Sequence, residues 1–235
     1  MPRTKKEPGE LINKRYRVLS YLSEGGQGTI YLVKDEKSNY PPLYVIKQLN
    51  QDDQNSANAN AIEVAVKRFK QEAEILKYLT QDGIAQIPSY ENYFELDQEY
   101  YLVQEFIKGK TLKEIIHAVE RLNKFQIIAL LQDILNILSR IHSRYITPDN
   151  NAMYHRDIKP SNLMWEEDKG HIFIIDFGTT KYGQVTETGY ETYGTPPYAP
   201  LELWAGNVYP SSDIYSLGVT AIQALTGQAP RGDST

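Results

Sequence analysis

The feature that most constrains the fold of this 235-residue chain is a single change in the period of its apolar residues, from strand-like to helical. Residues 16–22, 29–34 and 43–49 are rich in Tyr, Val, Ile and Leu, which is typical of strands. Two further strands are predicted at 90–95 and 99–106. The first half of the chain is therefore predicted to form a β-sheet.

Helical periodicity occurs once within the strand-rich half and then dominates after Gly109. Residues 62–79 carry apolar side chains on one stripe, as an amphipathic helix does. Helices are also predicted at 111–119 and 124–142. Strands segregated from helices predict an α+β fold of two lobes, a small antiparallel β lobe with one helix and a mainly helical lobe, joined by a hinge near 104–109.

The predicted domain organisation has three parts. Residues 1–15 are polar, contain two prolines and are interpreted as a tail. The first lobe is assigned to 16–106 and the second to 107–235.

Composition excludes several classes of protein. The chain has no cysteine, which excludes disulfides, thiolate nucleophiles and Cys-ligated metal sites. The formal net charge of −5 argues against a nucleic-acid-binding surface. No apolar stretch reaches the ~20 residues of a membrane span, and the N-terminus lacks the apolar core of a secretory signal. We therefore expect a cytoplasmic protein with no membrane segment in this chain.

A glycine-rich turn, LSEGGQGTIY, lies at 22–31. Gly25, Gly26 and Gly28 would allow the backbone to approach a phosphate closely, and free N–H groups there can bind oxyanions. A strand follows the turn, whereas a dinucleotide-binding turn runs into a helix. A flap over phosphates and an ordinary hairpin turn both remain open from the glycines alone.

Lys47 lies inside the apolar strand LYVIKQL. An inward lysine needs an anionic partner, because burying a lone ammonium is costly. Glu72 and Glu74 on the following helix could each supply the carboxylate, and Glu72 is preferred because Ile75 and Leu76 follow it. The alternative is a lysine on an edge strand that faces solvent.

The segment YHRDIKPSNL, 154–163, concentrates polar groups beside the long apolar helix. Pro160 argues against a helix through its middle. Asp157 can accept or orient a hydroxyl proton, Lys159 can neutralise a transferring phosphoryl group, and Asn162 offers an oxygen to Mg²⁺. The alternative is a hydrophilic surface loop.

Asp176 ends the apolar strand of HIFIIDFG, 171–178. A carboxylate there is a good ligand for a hard cation. With Asn162 it would provide two oxygen ligands from adjacent loops, which predicts Mg²⁺ held against ATP phosphates. An Asp that merely ends a strand in a turn is the alternative.

These motifs, in this order, resemble a eukaryotic-type serine/threonine protein kinase, of bacterial style, over residues 16–230. The resemblance implies that Lys47 contacts phosphates and pairs with Glu72, that Asp157 is the catalytic base, and that Lys159 stabilises the γ-phosphoryl group. It implies that Asn162 and Asp176 bind Mg²⁺, for which Mn²⁺ is a possible substitute. The nucleotide-contacting positions implied for ATP are Ser23, Gly25, Gly26, Gly28, Ile30, Val45, Lys47, Gln104, Glu105, Ile107 and Met164.

The resemblance extends to the substrate side. GTPPYAPLE, 194–202, resembles the substrate-binding end of the activation segment, and Thr195 indicates the Ser/Thr branch. Asp213 resembles the aspartate that braces the catalytic loop. Arg156 beside Asp157 resembles kinases that are switched by phosphorylation of this segment. The candidate phosphorylation sites are Thr186, Thr188 and Thr192.

The sequence departs from the family pattern in several places. Ser23 replaces the first flap glycine, Gln27 replaces the usual aromatic residue at the flap tip, and Pro200-Leu201 precede Glu202 where Ala-Pro is usual. The chain ends soon after the helix of Asp213, so we expect a second lobe that lacks its last helices, and self-association through the exposed apolar surface. The activity implied is γ-phosphoryl transfer from ATP to Ser or Thr of proteins. Alternatives are an inactive ATP-binding regulatory module and a small-molecule phosphotransferase.

Overall fold

A computed structural model describes the chain in eight segments: residues 5–25, 28–38, 42–50, 59–119, 121–143, 153–166, 170–182 and 194–231. These residues divide into two compact units. The first unit contains the described residues up to 77 together with 88–106, and the second contains 78–87 and those from 107 onward. Most strand residues lie in the first unit and most helical residues in the second, so the predicted α+β class is confirmed.

The first unit is built on a six-stranded antiparallel sheet. Its strands are β1 (Leu11–Ile12), β2 (Tyr16–Gly25), β3 (Gly28–Asp35), β4 (Leu43–Leu49), β5 (Tyr90–Leu96) and β6 (Glu99–Glu105). The spatial order is β1-β2-β3-β4-β6-β5, so one crossing, from β4 to β5, interrupts a simple meander.

Aromatic side chains hold one face of this sheet together. Tyr16, Tyr31 and Tyr101 are almost completely buried. Phe94 stacks on Tyr16 with ring centroids 6.2 Å apart and on Tyr101 at 5.1 Å. Such contacts add to the stabilisation that buried ring area already provides.

The expected polar tail is wrong at its C-terminal end. Leu11–Ile12 pair with β2, and Ile12 is only 2% exposed. Arg15 binds Asp35 with two guanidinium nitrogens, at 3.1 and 2.7 Å. A two-residue strand is too short to produce a recognisable alternation, which is why the sequence pattern missed it.

A long helix follows β4. Helix α1 (Ala59–Gln81) contains the predicted 62–79 and continues beyond both ends. Phe69, Ala73, Leu76 and Leu79 are buried, as their spacing predicts.

The second unit is mainly helical. Its helices are α2 (Leu112–Val119), α3 (Lys124–Ile141), α4 (Leu201–Trp204) and α5 (Pro210–Thr226), and its short strands are β7 (Gly109–Thr111), β8 (Met153–Tyr154), β9 (Leu163–Glu166), β10 (Ile172–Ile174) and β11 (Lys181–Tyr182). Helix α3 buries six apolar residues and contacts both α5 and β10. Asn123 caps α3, with its side chain accepting from the N–H groups of Phe125 and Gln126. The sequence predicted α2, α3 and β10 but not the other strands, which have two to four residues each.

Residues 78–87 differ from the predicted domain division, which placed them in the first lobe. Ile84 and Ile87 are buried. The carbonyl of Gln86 accepts a hydrogen bond from the Ile174 N–H, and its side-chain amide donates to the Ile172 carbonyl. These bonds to β10 assign the segment to the second unit.

Large apolar side chains remain on the surface of the second unit. Leu201 is 85% exposed, Phe125 71% and Ile222 63%. Across the residues that the structure describes, no helix combines the length and the apolar character needed to cross a bilayer.

We predict that Gly28→Ala destabilises the sheet by about 1–3 kcal/mol, the usual cost of overpacking. A Cβ at Gly28 would lie 2.6 Å from the Gln48 carbonyl oxygen, a backbone atom of the neighbouring strand. Gly25→Ala is the matched control, because nothing lies within 4 Å of a Cβ there. Urea unfolding of the two variants measures the difference, and equal midpoints would contradict the assigned strand contact.

Candidate active site

The first unit contains a buried ion pair. Lys47 Nζ lies 2.7 Å from Glu72 Oε1 and 2.9 Å from Oε2. The two side chains are only 8% and 5% exposed. Glu74, the other carboxylate considered, is exposed. Lys47 therefore has the anionic partner that its position in an apolar strand requires.

Several predicted nucleotide contacts share one face of the sheet with Lys47. Ile30 lies opposite Lys47 in the β3–β4 register, and Val45 lies opposite Gln104 in the β4–β6 register. Val45 and Lys47 are two residues apart, so their side chains point to the same side. The face thus presents apolar side chains, an amide and an ammonium, a combination suited to a purine with phosphates attached.

The glycine turn is described only in part. Ser23 and Gly25 lie at the exposed end of β2, and Gly28 begins β3. Gly26 lies outside the described residues. A Cβ at Gly25 would meet open space, whereas a Cβ at Gly28 would meet the backbone of the neighbouring strand. Close packing therefore requires glycine at position 28 but not at position 25.

The segment after β6 supplies backbone groups. The N–H of Glu105 donates to the Ser89 carbonyl, at 2.9 Å, so only the carbonyl of Glu105 could contact adenine. The Glu105 carboxylate also accepts from the Ser89 N–H and hydroxyl. Ile107 is buried and Met164 is half-buried in β9, both within the second unit.

The second unit gathers three polar side chains around Asp157. Its carboxylate accepts a hydrogen bond from the Thr195 hydroxyl at 2.7 Å and one from the Asn162 amide at 3.0 Å. Lys159 Nζ lies 2.8 Å from Asp157 Oδ2 and donates to Thr195 Oγ1 at 2.7 Å. Asp157 itself is 7% exposed. The carboxylate, ammonium and hydroxyl therefore form a closed triangle of polar contacts.

The structure corrects one local expectation and adds one residue. Residues Pro160–Asn162 form a 3₁₀ turn, in which Pro160 occupies the first position, where a missing N–H costs nothing. Thr195 served in the sequence only to indicate the Ser/Thr branch, yet its side chain touches both Asp157 and Lys159. Its separation of 38 residues from Asp157 hid the contact.

A backbone hydrogen bond joins the segments that carry the two predicted metal ligands. The Ile175 N–H donates to the Asn162 carbonyl at 2.9 Å, which fixes the start of the Asp176 turn beside Asn162. The Asn162 amide nitrogen donates to both the carbonyl and the carboxylate of Asp157, which directs the amide oxygen away from them. An amide oxygen and a carboxylate fit Mg²⁺, which usually takes one or two protein ligands and completes its shell with phosphates and water. The described residues contain no group of three or more His, Asp or Glu side chains arranged as a self-sufficient metal site.

Asp213 braces the segment that carries Asp157. It is fully buried, and its carboxylate accepts from the backbone N–H of His155 at 2.9 Å and of Arg156 at 2.7 Å. His142 Nε2 lies 2.8 Å from the same carboxylate. The bracing contact that the resemblance implied for Asp213 is present.

Arg156 has a backbone φ of +67°, a region that non-glycine residues rarely adopt. Its N–H is bound to Asp213, and its buried guanidinium donates from Nε to the Thr179 carbonyl at 2.6 Å. The hydroxyl of Thr179 in turn donates to the His155 carbonyl. The proposed phosphate partners Thr186, Thr188 and Thr192 lie outside the described residues, so that role of Arg156 stays a prediction.

His155 links the loop that carries Asp157 to the turn after β10. Its ring packs edge-on against Phe177, with centroids 5.1 Å apart. Burial lowers the pKa of this imidazole below its ordinary value, an effect that outweighs the attraction of the nearby Asp213, Asp157 and Asp176 carboxylates. His155 is therefore a neutral, buried spacer.

This arrangement of motifs and contacts defines a protein kinase domain, and the chain belongs to the protein kinase domain family, which it matches over residues 16–235. It is 34% identical to serine/threonine-protein kinase PknA of Nostoc sp., over 94% of this chain and 39% of that protein. It is 36% identical to serine/threonine-protein kinase C of Synechocystis sp., over 95% of this chain and 41% of that protein. Serine/threonine-protein kinase PrkC of Bacillus subtilis is 31% identical over 94% of this chain. The chain spans about two fifths of the length of the first two of these relatives.

We predict that Asp213→Asn lowers the free energy of unfolding by roughly 2–3 kcal/mol, since hydrogen bonds to a buried charged group contribute about this much. An asparagine keeps the shape but supplies one acceptor oxygen for two N–H groups. Asp133→Asn is the matched control: its half-buried carboxylate accepts one N–H, from Ile172, and we expect a loss below about 1 kcal/mol. Comparable losses in the two variants, by denaturant titration, would contradict the bracing role.

The pKa of His155 predicts a dependence of stability on pH. Well above pH 6.5 the imidazole is neutral in both the folded and the unfolded state. As pH falls through 6.5, the unfolded state binds more protons at this residue than the folded state, so stability falls, by up to about 1.4 kcal/mol per pH unit. His155→Gln should flatten this slope between pH 6.5 and 5.5 in urea unfolding. An unaltered slope in His155→Gln would refute the assignment.

Proposed function

We propose that this chain is the catalytic domain of a serine/threonine protein kinase, which transfers the γ-phosphoryl group of ATP to a Ser or Thr hydroxyl of a protein. One observation carries the proposal. Asp157 already accepts a hydrogen bond from a threonine hydroxyl, Thr195, while Lys159 lies 2.8 Å from the same carboxylate. A substrate hydroxyl in that place would have both a proton acceptor and a neighbouring cation.

The proposed chemistry depends on positioning and charge more than on covalent participation of the protein. Asp157 orients the attacking hydroxyl and receives its proton. Lys159 offsets the negative charge of the γ-phosphoryl oxygens as it moves to the substrate. Lys47, held by Glu72, binds the α- and β-phosphates.

Adenine would lie against the sheet face that carries Val45 and Ile30. Met164, in the second unit, is proposed as a further adenine contact on the family resemblance alone. Gln104 would border the ring, and the Glu105 carbonyl and the Ile107 N–H would bind its edge. Ser23, Gly25, Gly26 and Gly28 would cover the phosphates. The support for this arrangement is the shared face of Ile30, Val45 and Gln104 with Lys47.

Kinases of this family use ATP with a divalent cation, and we propose Mg²⁺, with Mn²⁺ as a substitute, held by Asn162 and Asp176. The cation supplies positive charge that bridges the phosphate oxygens. Asn162 also donates its amide protons to Asp157, so one side chain would position both the metal and the base. We place the domain in the cytoplasm, where ATP is available.

We predict that Asp157→Asn and Lys47→Met each reduce γ-phosphoryl transfer by at least about 100-fold, the scale on which catalytic proton acceptors and charged groups act. Transfer from radiolabelled ATP with Mg²⁺ to a generic protein substrate is the measurement. Lys34→Met, which removes a lysine on β3 with a 37% exposed side chain, is the control and should retain activity. Wild-type turnover in Asp157→Asn or Lys47→Met would defeat the assignment.

Stability and activity can be separated at the ion pair. Lys47→Met leaves the Glu72 carboxylate buried without its cation, so the single variant should also be less stable. Neutralising both partners, Lys47→Met with Glu72→Gln, should recover stability but not transfer. Recovery of transfer in the double variant would show that the ammonium is not needed.

The alternative function is an ATP-binding regulatory module without catalysis. It predicts stabilisation of the chain by ATP and Mg²⁺ in thermal unfolding, with no phosphate transferred to any acceptor. A small-molecule phosphotransferase would instead phosphorylate sugars or amino alcohols and no protein.

Self-association also stays a proposal. Its support is the exposure of Leu201, Trp204, Ile222 and Leu225 on the second unit. The sedimentation coefficient would be measured over a roughly hundredfold range of protein concentration. A value that rises with concentration would support self-association, and a constant value equal to that of the monomer would oppose it.

A further inference from the structure

A groove of about 550 Å³ lies within the second unit. Helix α2 and the end of α5 form two of its sides, and the 3₁₀ turn at 160–162 packs against α2. The groove begins at Lys159 and Thr195, two of the three residues whose side chains contact Asp157. Its volume suits a few peptide side chains. Given the proposed function, on which this inference rests, a peptide with its hydroxyl at Asp157 would continue into this groove.

The charges along the groove are of one sign. Among the described residues that line it, Lys113, His117 and Lys159 are basic, and none is Asp or Glu. Lys159 is engaged with Asp157 and Thr195. Lys113 and His117 are exposed and lie four positions apart on α2, so they project from the same face of the helix.

The nearest carboxylate in the sequence does not counter this charge. Glu114, next to Lys113, accepts hydrogen bonds from both the backbone N–H and the hydroxyl of Thr111, each at 2.7 Å. These hydrogen bonds hold the Glu114 carboxylate at the N-terminus of α2. Lys113 is therefore an exposed cation in the groove, and none of the contacts described above pairs it with a carboxylate.

We propose that this groove selects protein substrates with an aspartate or glutamate within three residues of the acceptor Ser or Thr, and that Lys113 determines this selectivity. An acidic side chain would meet Lys113 and the face of His117. A basic side chain would meet the like charge of Lys113, and the described lining residues offer it no Asp or Glu. Apolar lining residues, including Ile116 and Tyr198, would pack against the stem of the bound side chain.

The test compares threonine peptides of one length that carry a single Asp, Ala or Arg at each position from −3 to +3. We expect kcat/KM for the best Asp peptide to exceed that of the matching Arg peptide about three- to tenfold in low salt, mainly through KM, because exposed charge pairs contribute modestly. The preference should shrink at 0.5 M salt as charges are screened. No preference, or a preference for Arg, would overturn the proposal.

Charge reversal identifies the residue responsible. Lys113→Glu should abolish or invert the Asp-to-Arg ratio, and Lys113→Ala should reduce it toward one. Lys124→Glu is the matched control, an exposed lysine of the same unit outside the groove, where an acidic residue at the start of α3 suits the helix dipole. A ratio that Lys113→Glu leaves unchanged, or that Lys124→Glu alters equally, would reject Lys113 as the determinant.

The outcomes separate this inference from the proposed function. Transfer to peptides without any charge preference removes the inference and leaves the kinase assignment standing. Transfer to no peptide at all counts against the kinase assignment. In that case fluorescence anisotropy of labelled Asp and Arg peptides on the intact chain decides the charge preference by binding alone, and equal affinities would reject it.

Discussion

The conformation of the loop that carries Asp157 depends on one buried carboxylate. Asp213 binds two consecutive backbone N–H groups, of His155 and Arg156, and so holds Arg156 at a positive φ. A strained backbone of this kind persists only where its surroundings over-determine it. The next residue is Asp157. The backbone conformation of Arg156 positions the Asp157 carboxylate to contact Thr195, Lys159 and Asn162 together. Helix α5, which carries Asp213, therefore acts as the rigid support of the site.

In the first unit, the position of the Lys47 ammonium is fixed by a buried ion pair. Burying Lys47 and Glu72 costs desolvation energy that their attraction only partly offsets, so the pair is weak as a source of stability. Two hydrogen bonds to one carboxylate nevertheless fix the ammonium at a defined point on the sheet. The stacked aromatic rings of Tyr16, Phe94 and Tyr101 pack within the same sheet and stabilise its strands.

Local patterns in the sequence were enough to predict β4, α1 and α3, because each is long and periodic. They also predicted Glu72 as the partner of Lys47, since a buried ammonium leaves few choices. They missed Leu11–Ile12 and the short strands β7 and β9, which are stabilised by partners distant in sequence. Thr195 was missed as a contact of Asp157 for the same reason, since nothing local indicates a hydrogen bond across 38 residues. The predicted division near residue 106 placed 78–87 in the first lobe. Their two buried isoleucines and their hydrogen bonds to β10 are tertiary contacts, which the local sequence pattern does not show.

The Thr195 hydroxyl donates to Asp157 and accepts from Lys159. In the proposed reaction an incoming alcohol would take this place, so the Thr195 hydroxyl would act as a stand-in for the acceptor. Entry of a substrate would then be an exchange of one alcohol for another, with little net change in the number of hydrogen bonds. Water, which could otherwise take that place and consume ATP without a useful product, would have to displace the same tethered group.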